Sequence, residues 1–201
     1  ENLFLLFLCQ ISFIPLLIIG KPGSGKSLSA QLITKAMKGK YSKSEFFRNF
    51  PKILQTYFQG SENTIPEDVD NVFEKAGGKI KLLIDKNEPE ENLPISMILF
   101  DELGLAERSK HNPLKVLHSR LEYGGVIKHV SFVGISNWSI DAAKMNRFLT
   151  LAVPNLDDHL DDLKTTAESI AGSIDSKFLH NNLVTELLPI VYHSYKSILK
   201  D

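Results

Sequence analysis

The segment IPLLIIGKPGSGKSL, residues 14–28, joins a short apolar run to a loop that contains three glycines. The run before Gly20 has no polar residue, which is typical of a strand buried on both faces of a parallel sheet. After the loop, apolar residues recur at helical spacing as far as Gly39; they are Leu28, Leu32, Ile33 and Ala36. The segment therefore predicts a strand, a glycine-rich loop and a helix in direct succession.

The loop itself follows the pattern glycine, any four residues, glycine, lysine, then serine or threonine, which is typical of phosphate-binding loops. Glycines let successive backbone N–H groups converge on phosphate oxygens, and the following helix adds the partial positive charge of its N-terminus. We expect Lys26 to reach the β- and γ-phosphates of a nucleotide and Ser27 to ligate Mg²⁺. The alternative, an ordinary glycine-rich turn, is disfavoured because a strand and a helix flank the loop on the correct sides. The predicted nucleotide-binding residues are Gly20, Pro22, Gly23, Ser24, Gly25, Lys26, Ser27 and Leu28.

An acidic pair, Asp101 and Glu102, ends a second apolar run at residues 95–100. The carboxyl end of a strand in an open α/β sheet faces the ligand crevice, so both side chains should face the phosphate loop. Asp101 is predicted to hold Mg²⁺, directly or through water, and Glu102 to orient and deprotonate the attacking water. An acidic pair alone is as readily a helix cap or a solvated turn, and the upstream phosphate loop favours the catalytic interpretation.

A third strand is predicted at residues 130–135, and Asn137 follows it. An amide at this position can hydrogen-bond the attacking water or a phosphate oxygen beside the γ-phosphate, which makes Asn137 a predicted catalytic residue. A turn or helix-cap role is the alternative. Arg147 lies ten positions further on, and its guanidinium could serve a neighbouring module as an arginine finger or form a surface salt bridge.

The remaining pattern alternates short apolar strands with helices. A strand is expected at residues 53–58, a helix after Pro66 that stops at residues 77–78, and a further helix at residues 113–122. Residues 79–94 are charged and contain two prolines, so they predict a surface loop with at most a short element at residues 80–84. The alternation indicates an α/β fold with a parallel, doubly wound sheet.

The strand signal stops after Val153. We therefore expect an α/β nucleotide-binding domain over residues 1–153 and an incomplete helical lid over residues 154–201. The apolar opening, residues 3–19, predicts a buried helix and a buried strand broken at Pro15, not a membrane span or signal peptide, because polar residues interrupt it and no basic segment precedes it. The absence of Met at position 1 suggests a piece of a longer chain.

Composition limits the possible functions. The 201 residues carry 23 basic and 24 acidic side chains, a net charge of −1, so no excess positive field exists to hold nucleic acid or an anionic membrane. Any phosphate recognition must therefore be local. The single cysteine, Cys9, excludes a disulfide framework or a cysteine-rich zinc site made within this chain and fits a reducing compartment, so we expect a cytoplasmic protein.

The order of phosphate loop, Asp-Glu strand, strand-terminal Asn and downstream Arg resembles that of AAA+ ATPases, with Asn137 as sensor 1. Three segments, GKPGSGKSLSAQLI, MILFDELGLAERSKHNPLKVLHSRLE and VSFVGISNWSIDAAKMNRFLTLAV, closely resemble the AAA+ modules of mysterin-type giant RING E3 ubiquitin ligases, which have a dynein-like core. The resemblance covers about residues 1–172. It implies ATP and Mg²⁺ as ligands and ATP hydrolysis within a larger ubiquitin ligase.

The resemblance also implies partners: neighbouring AAA+ modules of the same long chain, which Arg147 would serve in trans, and the ubiquitin machinery through the parent protein. No RING or other zinc-ligand set occurs in this sequence, so ligase chemistry would lie elsewhere. Two alternatives remain open at this point. The chain could be a module of a dynein-type motor or midasin-like remodelling ATPase, or a module that binds ATP structurally without hydrolysing it.

Overall fold

Five parallel strands form one sheet in the computed structural model, which describes residues 2–122 and 128–154. The order across the sheet is β2-β3-β4-β1-β5. Each β1 residue pairs with β4 on one side and β5 on the other, as at Leu16, which lies opposite Val133 and Leu149. The strands are β1 Leu16–Ile19, β2 Ile53–Gln59, β3 Ile95–Asp101, β4 Val130–Ser136 and β5 Leu149–Ala152.

Helices connect the strands in the manner of a doubly wound α/β fold, which confirms the predicted fold class. Within the described residues they are α1 Asn2–Ile11, α2 Lys26–Ala36, α3 Glu45–Arg48, α4 Pro66–Ile84, α5 Leu103–Glu107, α6 Val116–Leu121 and α7 Ala142–Met145. Three short 3₁₀ turns add to these, at Gly39–Tyr41, Glu90–Asn92 and Pro113–Lys115. The helix predicted at residues 113–122 therefore begins as a 3₁₀ turn.

The core has two halves because successive strand residues point to opposite faces of the sheet. Leu16 and Ile18 of β1 belong to the cluster that α1 and α2 cover, whereas Leu17 belongs to the cluster under α4, α5 and α6. Strand β3 divides in the same way, with Leu99 on the first face and Phe100 on the second. Burial on both faces explains why these strands read as unbroken apolar runs.

Strand β5 lies at an edge of the sheet and was not predicted. Its residues are largely exposed, and Thr150 interrupts the apolar run there. Pairing with β1 holds it in place: Leu149 N–H donates to Pro15 O at 2.8 Å, and Val153 N–H donates to Ile19 O at 2.7 Å. The strand exists because of its neighbour in the sheet rather than because of its own pattern.

The prediction that the helix after Pro66 stops at residues 77–78 was wrong. Helix α4 runs through Gly77 and Gly78 to Ile84, so the short element expected at residues 80–84 is the end of this helix. Gly77 and Ile80 are buried and continue the face that packs on the sheet. That packing offsets the cost of a glycine within a helix, about 1 kcal/mol each.

The compact unit that contains the sheet ends at Val153. The lid predicted for residues 154–201 lies, from residue 155 onward, outside the described residues and stays a prediction. Among the described residues, no helix combines the length and apolar character needed to cross a membrane. The apolar opening forms α1, only 10 residues long, followed by β1, and Cys9 is buried in α1.

We expect Gly78→Ala to raise the free energy of unfolding by about 0.5–1 kcal/mol, because alanine favours the helical backbone and a Cβ at this position has no heavy atom within 4 Å. Gly104→Ala in α5 is the matched control. Its Cβ would lie 2.6 Å from Ser136 Oγ and 2.8 Å from a ring carbon of Trp138, so it should destabilise the protein. Urea unfolding measures both. Destabilisation by Gly78→Ala would contradict a continuous α4.

Candidate nucleotide-binding site

The carboxyl ends of three adjacent strands, β3, β4 and β1, border a cavity of about 380 Å³. Parallel strands end at the same edge of a sheet, and the crevice beyond that edge is the usual ligand site of this fold class. The cavity is lined by Pro22, Gly23, Ser24, Gly25, Lys26, Ser27, Leu28, Asp101, Glu102, Ile135 and Asn137. All but one of the predicted nucleotide-binding residues line it, and the exception, Gly20, lies at the start of the loop.

The loop backbone depends on glycine at two positions. Gly23 has φ +83° and Gly25 has φ +79°, which residues with a Cβ rarely adopt. Gly20 has no room for a side chain, since a Cβ there would lie 2.9 Å from Ser24 Oγ. Helix α2 begins at Lys26, so its free N–H groups adjoin the cavity. Among the described residues, the buried hydroxyl of Ser24 has no hydrogen-bond partner, which fits a loop built to meet ligand oxygens.

Lys26 is 7% exposed, and its ammonium group is held by three acceptors. Nζ donates to Gly20 O at 2.6 Å, to Lys21 O at 2.8 Å and to Asn137 Oδ1 at 3.0 Å. Burial lowers the pKa of Lys26, while the nearby charges of Glu102 and Asp101 act in the opposite direction. An incoming phosphate must replace some of these acceptors, because an ammonium has only three protons to donate.

Asp101 and Ser27 come together across the sheet edge. Ser27 Oγ donates to Asp101 Oδ2 at 3.3 Å, and the other carboxylate oxygen of Asp101 accepts from the backbone N–H of Glu102 at 3.0 Å. These two oxygen-bearing side chains are the pair predicted to hold Mg²⁺. A serine hydroxyl and a carboxylate are hard oxygen donors of the kind that Mg²⁺ prefers, so the residues fit that ion.

Tyr57 of β2 also reaches this group, and the sequence patterns did not reveal it. Its hydroxyl donates to Asp101 Oδ2 at 3.5 Å, the outer limit of a hydrogen bond. Burial, followed by the charge of Asp101, raises the pKa of the Tyr57 phenol. Only the strand order could have placed it here, since β2 is adjacent to β3 in the sheet and distant in the chain.

Glu102 has an unusual backbone and a fixed side chain. Its φ of 52° and ψ of 41° lie in the left-handed region, which costs a non-glycine residue about 1–3 kcal/mol. The carbonyl of Glu102 accepts from the backbone N–H groups of Leu105 and Ala106, so the first turn of α5 holds this conformation. Both carboxylate oxygens accept from Asn137 Nδ2 at 3.1 Å.

Asn137 therefore bridges the phosphate loop and the acidic pair. Its oxygen faces Lys26, which can only donate, and its nitrogen faces the Glu102 carboxylate, which accepts, so only one orientation of the amide satisfies both. Strand β4 lies between β3 and β1, which places Asn137 between the residues that end those strands. Lys26 and Glu102 thus meet at one amide, and Ser27 and Asp101 pair beside them.

Arg147 is not part of this cluster. Arg147 precedes β5, whereas the phosphate loop follows β1. Because β1 and β5 are parallel, Arg147 lies at the amino ends of the strands and the phosphate loop lies at their carboxyl ends. Its guanidinium donates to Glu122 Oε1 and to Ala143 O, each at 3.2 Å. Within this chain the structure shows the salt bridge that was the alternative interpretation.

A family model described as the RNF213 AAA domain matches residues 1–159. The chain belongs to this family. The match confirms the resemblance to mysterin-type, or RNF213-type, ligases that the motifs predicted, and it favours that assignment over a dynein-type or midasin-like module. Membership of an AAA domain family explains why a phosphate loop follows β1.

Full-length relatives of the RNF213 AAA domain family are far longer than this chain. The E3 ubiquitin-protein ligase rnf213-beta of Danio rerio is 39% identical over 180 residues, and the E3 ubiquitin-protein ligase RNF213 of Mus musculus is 36% identical over 183 residues. Each alignment covers 86% of this chain and 3% of the relative. The chain therefore corresponds to a small part of the curated relatives it matches.

Solved structures share the fold of this RNF213-type domain. A RuvB variant from Thermotoga maritima aligns with a TM-score of 0.53 at 15% identity, covering 87% of this chain and 49% of RuvB. A DNA polymerase III gamma subunit-related protein from the same organism aligns with a TM-score of 0.52 at 14% identity, covering 96% and 58% of the two chains. At such identities the likeness shows the fold alone.

We expect Asn137→Leu to lower the free energy of unfolding by about 1–2 kcal/mol, because it removes an acceptor from the buried Lys26 ammonium and a donor from Glu102. Urea unfolding at neutral pH measures it. In a double-mutant cycle with Glu102→Gln, the two effects should not add, because both substitutions change the same contact. Strictly additive effects would contradict the amide bridge.

Proposed function

We propose that this chain binds ATP with Mg²⁺ and hydrolyses the bond between its β- and γ-phosphates, as one AAA+ module of a longer E3 ubiquitin ligase. The observation that carries the proposal is the bridge from Lys26 through Asn137 to Glu102, with Ser27 and Asp101 beside it. The carboxyl ends of neighbouring strands thus bring together a cation that can bind phosphate, two oxygen-bearing side chains that can hold a metal ion, a candidate general base and a polar sensor residue. Phosphoryl transfer needs this combination of positioning and charge.

The triphosphate would lie along the loop. The cavity volume of about 380 Å³ falls within the usual range for small-ligand sites. Backbone N–H groups between Gly23 and Ser27 would meet the phosphate oxygens, and Lys26 would turn from its carbonyl acceptors to the β- and γ-phosphates. The exchange replaces neutral acceptors by charged ones, which makes stronger hydrogen bonds.

Ser27 and Asp101 would hold Mg²⁺ when the nucleotide binds. The ion supplies charge neutralisation at the β- and γ-phosphates. Before that, the hydroxyl of Ser27 donates to Asp101, so the two side chains already lie together at 3.3 Å. Tyr57 adds a donor to the same carboxylate and would help to keep it oriented.

Glu102 would take the proton of the attacking water. Asn137 holds the carboxylate by a single nitrogen, which leaves other lone pairs free to accept from water. Because the same amide also contacts Lys26, a phosphate that draws Lys26 away would free the Asn137 oxygen. Through this link, a change in the bound nucleotide would alter the contacts of Glu102 and of strand β4.

A module that holds ATP without turnover is the other candidate function. It would use the same loop and would stabilise the parent protein by ligand binding alone. The intact acidic pair favours hydrolysis, because a module retained only for binding has no need of Glu102. Binding and turnover must be measured separately to decide between the two.

Ubiquitin ligase chemistry and the neighbouring modules would belong to other parts of the longer parent protein. The relatives are named as E3 ubiquitin-protein ligases, and this chain corresponds to 3% of their length. With one cysteine, the chain has no RING-type set of zinc ligands of its own, so the ubiquitin machinery would act on other parts of the parent. The direct partners of this module would be the neighbouring AAA+ modules.

Arg147 would serve one of those neighbours. It lies at the amino ends of the strands, whereas Lys26 lies at their carboxyl ends, so Arg147 cannot contribute to the nucleotide site of its own module. Its side chain is 25% exposed and is held by one carboxylate, that of Glu122, and one carbonyl. A phosphate group on an adjacent module could displace Glu122, since a guanidinium binds either group in the same forked geometry.

We expect Lys26→Ala to abolish measurable ATP binding in a folded chain, because it removes the cation that meets the phosphates. Glu102→Gln should bind ATP normally and lower hydrolysis by about 10²–10⁴-fold, since an amide cannot take a proton. Calorimetric titration with ATP and single-turnover decay of bound ATP measure the two effects. Unchanged affinity in Lys26→Ala would refute the site, and decay at the wild-type rate in Glu102→Gln would favour a different base.

We expect Arg147→Ala to leave ATP hydrolysis by the 201-residue chain unchanged but to lower it in a longer protein that includes the neighbouring modules. An arginine finger is worth about 10³–10⁵ in rate where it has been measured. Phosphate release by both proteins, with Glu122→Ala as the control that breaks only the salt bridge, measures the effect. Loss of activity in the dilute single chain would rule out a role in trans.

A further inference from the structure

A second cavity, of about 520 Å³, lies away from the nucleotide site. Two chain connections form it: one leads from α2 into β2 and the other from α4 into β3, so it adjoins the amino ends of these strands. The nucleotide site is at the carboxyl ends. Strand β2 is seven residues long, which separates the two edges by about 20 Å.

The walls of this cavity are strongly basic. Four cations and one carboxylate line it, a net charge of +3, although the whole chain has a net charge of −1. No salt bridge between described side chains involves any of the four cations, whereas Arg120, Lys144 and Arg147 elsewhere in the domain each form one. The charged lining residues are Lys38, Lys40, Arg48, Lys52 and Glu88.

Hydrogen bonds fix the conformation of the connection between α2 and β2. The buried hydroxyl of Ser42 donates to Ala36 O at 2.8 Å and accepts from Lys38 N–H at 2.9 Å. Arg48 Nε donates to Ser42 O at 3.0 Å, and Ile53 N–H donates to Met37 O at 3.0 Å. The fold thus places the four cations on one ordered connection, where a bound anion would attract all of them.

Tyr41 adds a flat apolar surface to the rim. Its side chain is 78% exposed, and Lys40 Nζ lies 5.6 Å from the ring centroid. An exposed aromatic ring beside unpaired cations offers a stacking face for a ring-containing ligand as well as charge for its anionic groups.

We propose that this cavity binds a small organic polyphosphate, an anion that carries several phosphate groups on one compact scaffold. Three lysines and one arginine can each donate to phosphate oxygens, and Arg48 has a fork suited to them. The one carboxylate of the lining still leaves a net charge of +3. The concave shape and the volume match a small ligand better than an extended polymer.

The test uses inorganic tripolyphosphate, titrated calorimetrically into the 201-residue chain carrying Lys26→Ala, so that the nucleotide loop contributes little. One binding event should remain. Adding Lys40→Glu and Lys52→Glu should weaken it by about tenfold or more. The matched control adds Lys110→Glu and Lys115→Glu, the same charge change at exposed sites outside the cavity, and should alter affinity by less than about twofold.

The result that overturns the proposal is equally specific. No tripolyphosphate binding in the Lys26→Ala chain, or binding that the Lys40 and Lys52 substitutions and the control pair weaken equally, would exclude a built site. Circular dichroism checks folding, and Lys40→Gln with Lys52→Gln replaces the charge reversals if these unfold the chain. The neutral pair should still weaken binding severalfold.

Two further titrations identify the ligand class. Tighter binding of inositol hexakisphosphate than of tripolyphosphate in the Lys26→Ala chain would support the proposal and show that a polyol is an accepted scaffold. A polyglutamate peptide that binds more tightly than every polyphosphate would overturn it in favour of an acidic protein segment. None of these results depends on ATP hydrolysis, so the proposed catalytic function can fail independently.

Discussion

The buried ammonium group of Lys26 is the interaction on which the nucleotide site depends. A cation removed from water is costly unless its protons are all taken up, and here two loop carbonyls and the Asn137 amide accept them. The two carbonyls fold the loop back over its own lysine. The amide ties that lysine to a different strand, so the loop cannot keep this arrangement unless β1 and β4 are neighbours.

Strand order meets that requirement. Because β4 lies between β3 and β1, the residues that follow three separate strands converge within hydrogen-bonding distance. The left-handed backbone of Glu102 belongs to the same arrangement, since it starts α5 immediately after β3 and lets the carboxylate meet Asn137. A strained residue held at a ligand-facing position is typical of sites that must change on binding. The binding lysine and the proposed base are coupled before any ligand is present.

The two ends of the strands carry different groups. The carboxyl ends carry the candidate nucleotide-binding residues, whereas the amino ends carry Arg147 and, at β2 and β3, the basic cavity. In the proposed function, a module in a row of others would bind its own nucleotide at one end and offer an arginine to a neighbour at the other.

The sequence alone determined the elements whose signal is local. Strands β1, β3 and β4 are buried on both faces and therefore read as apolar runs, and glycine spacing marked the phosphate loop. The polar residues that end these strands followed directly. This was enough to predict Lys26, Ser27, Asp101 and Glu102 as one site, and their convergence in the structure agrees with it.

Tertiary structure alone decided the rest. Edge strand β5 is largely exposed, and α4 continues through two glycines because its buried face packs on the sheet. The contact of Tyr57 with Asp101 and the basic cavity each join residues that are far apart in the chain. A local pattern reports whether a residue will be buried, but it does not report which strand lies next to which, and these features all depend on that order.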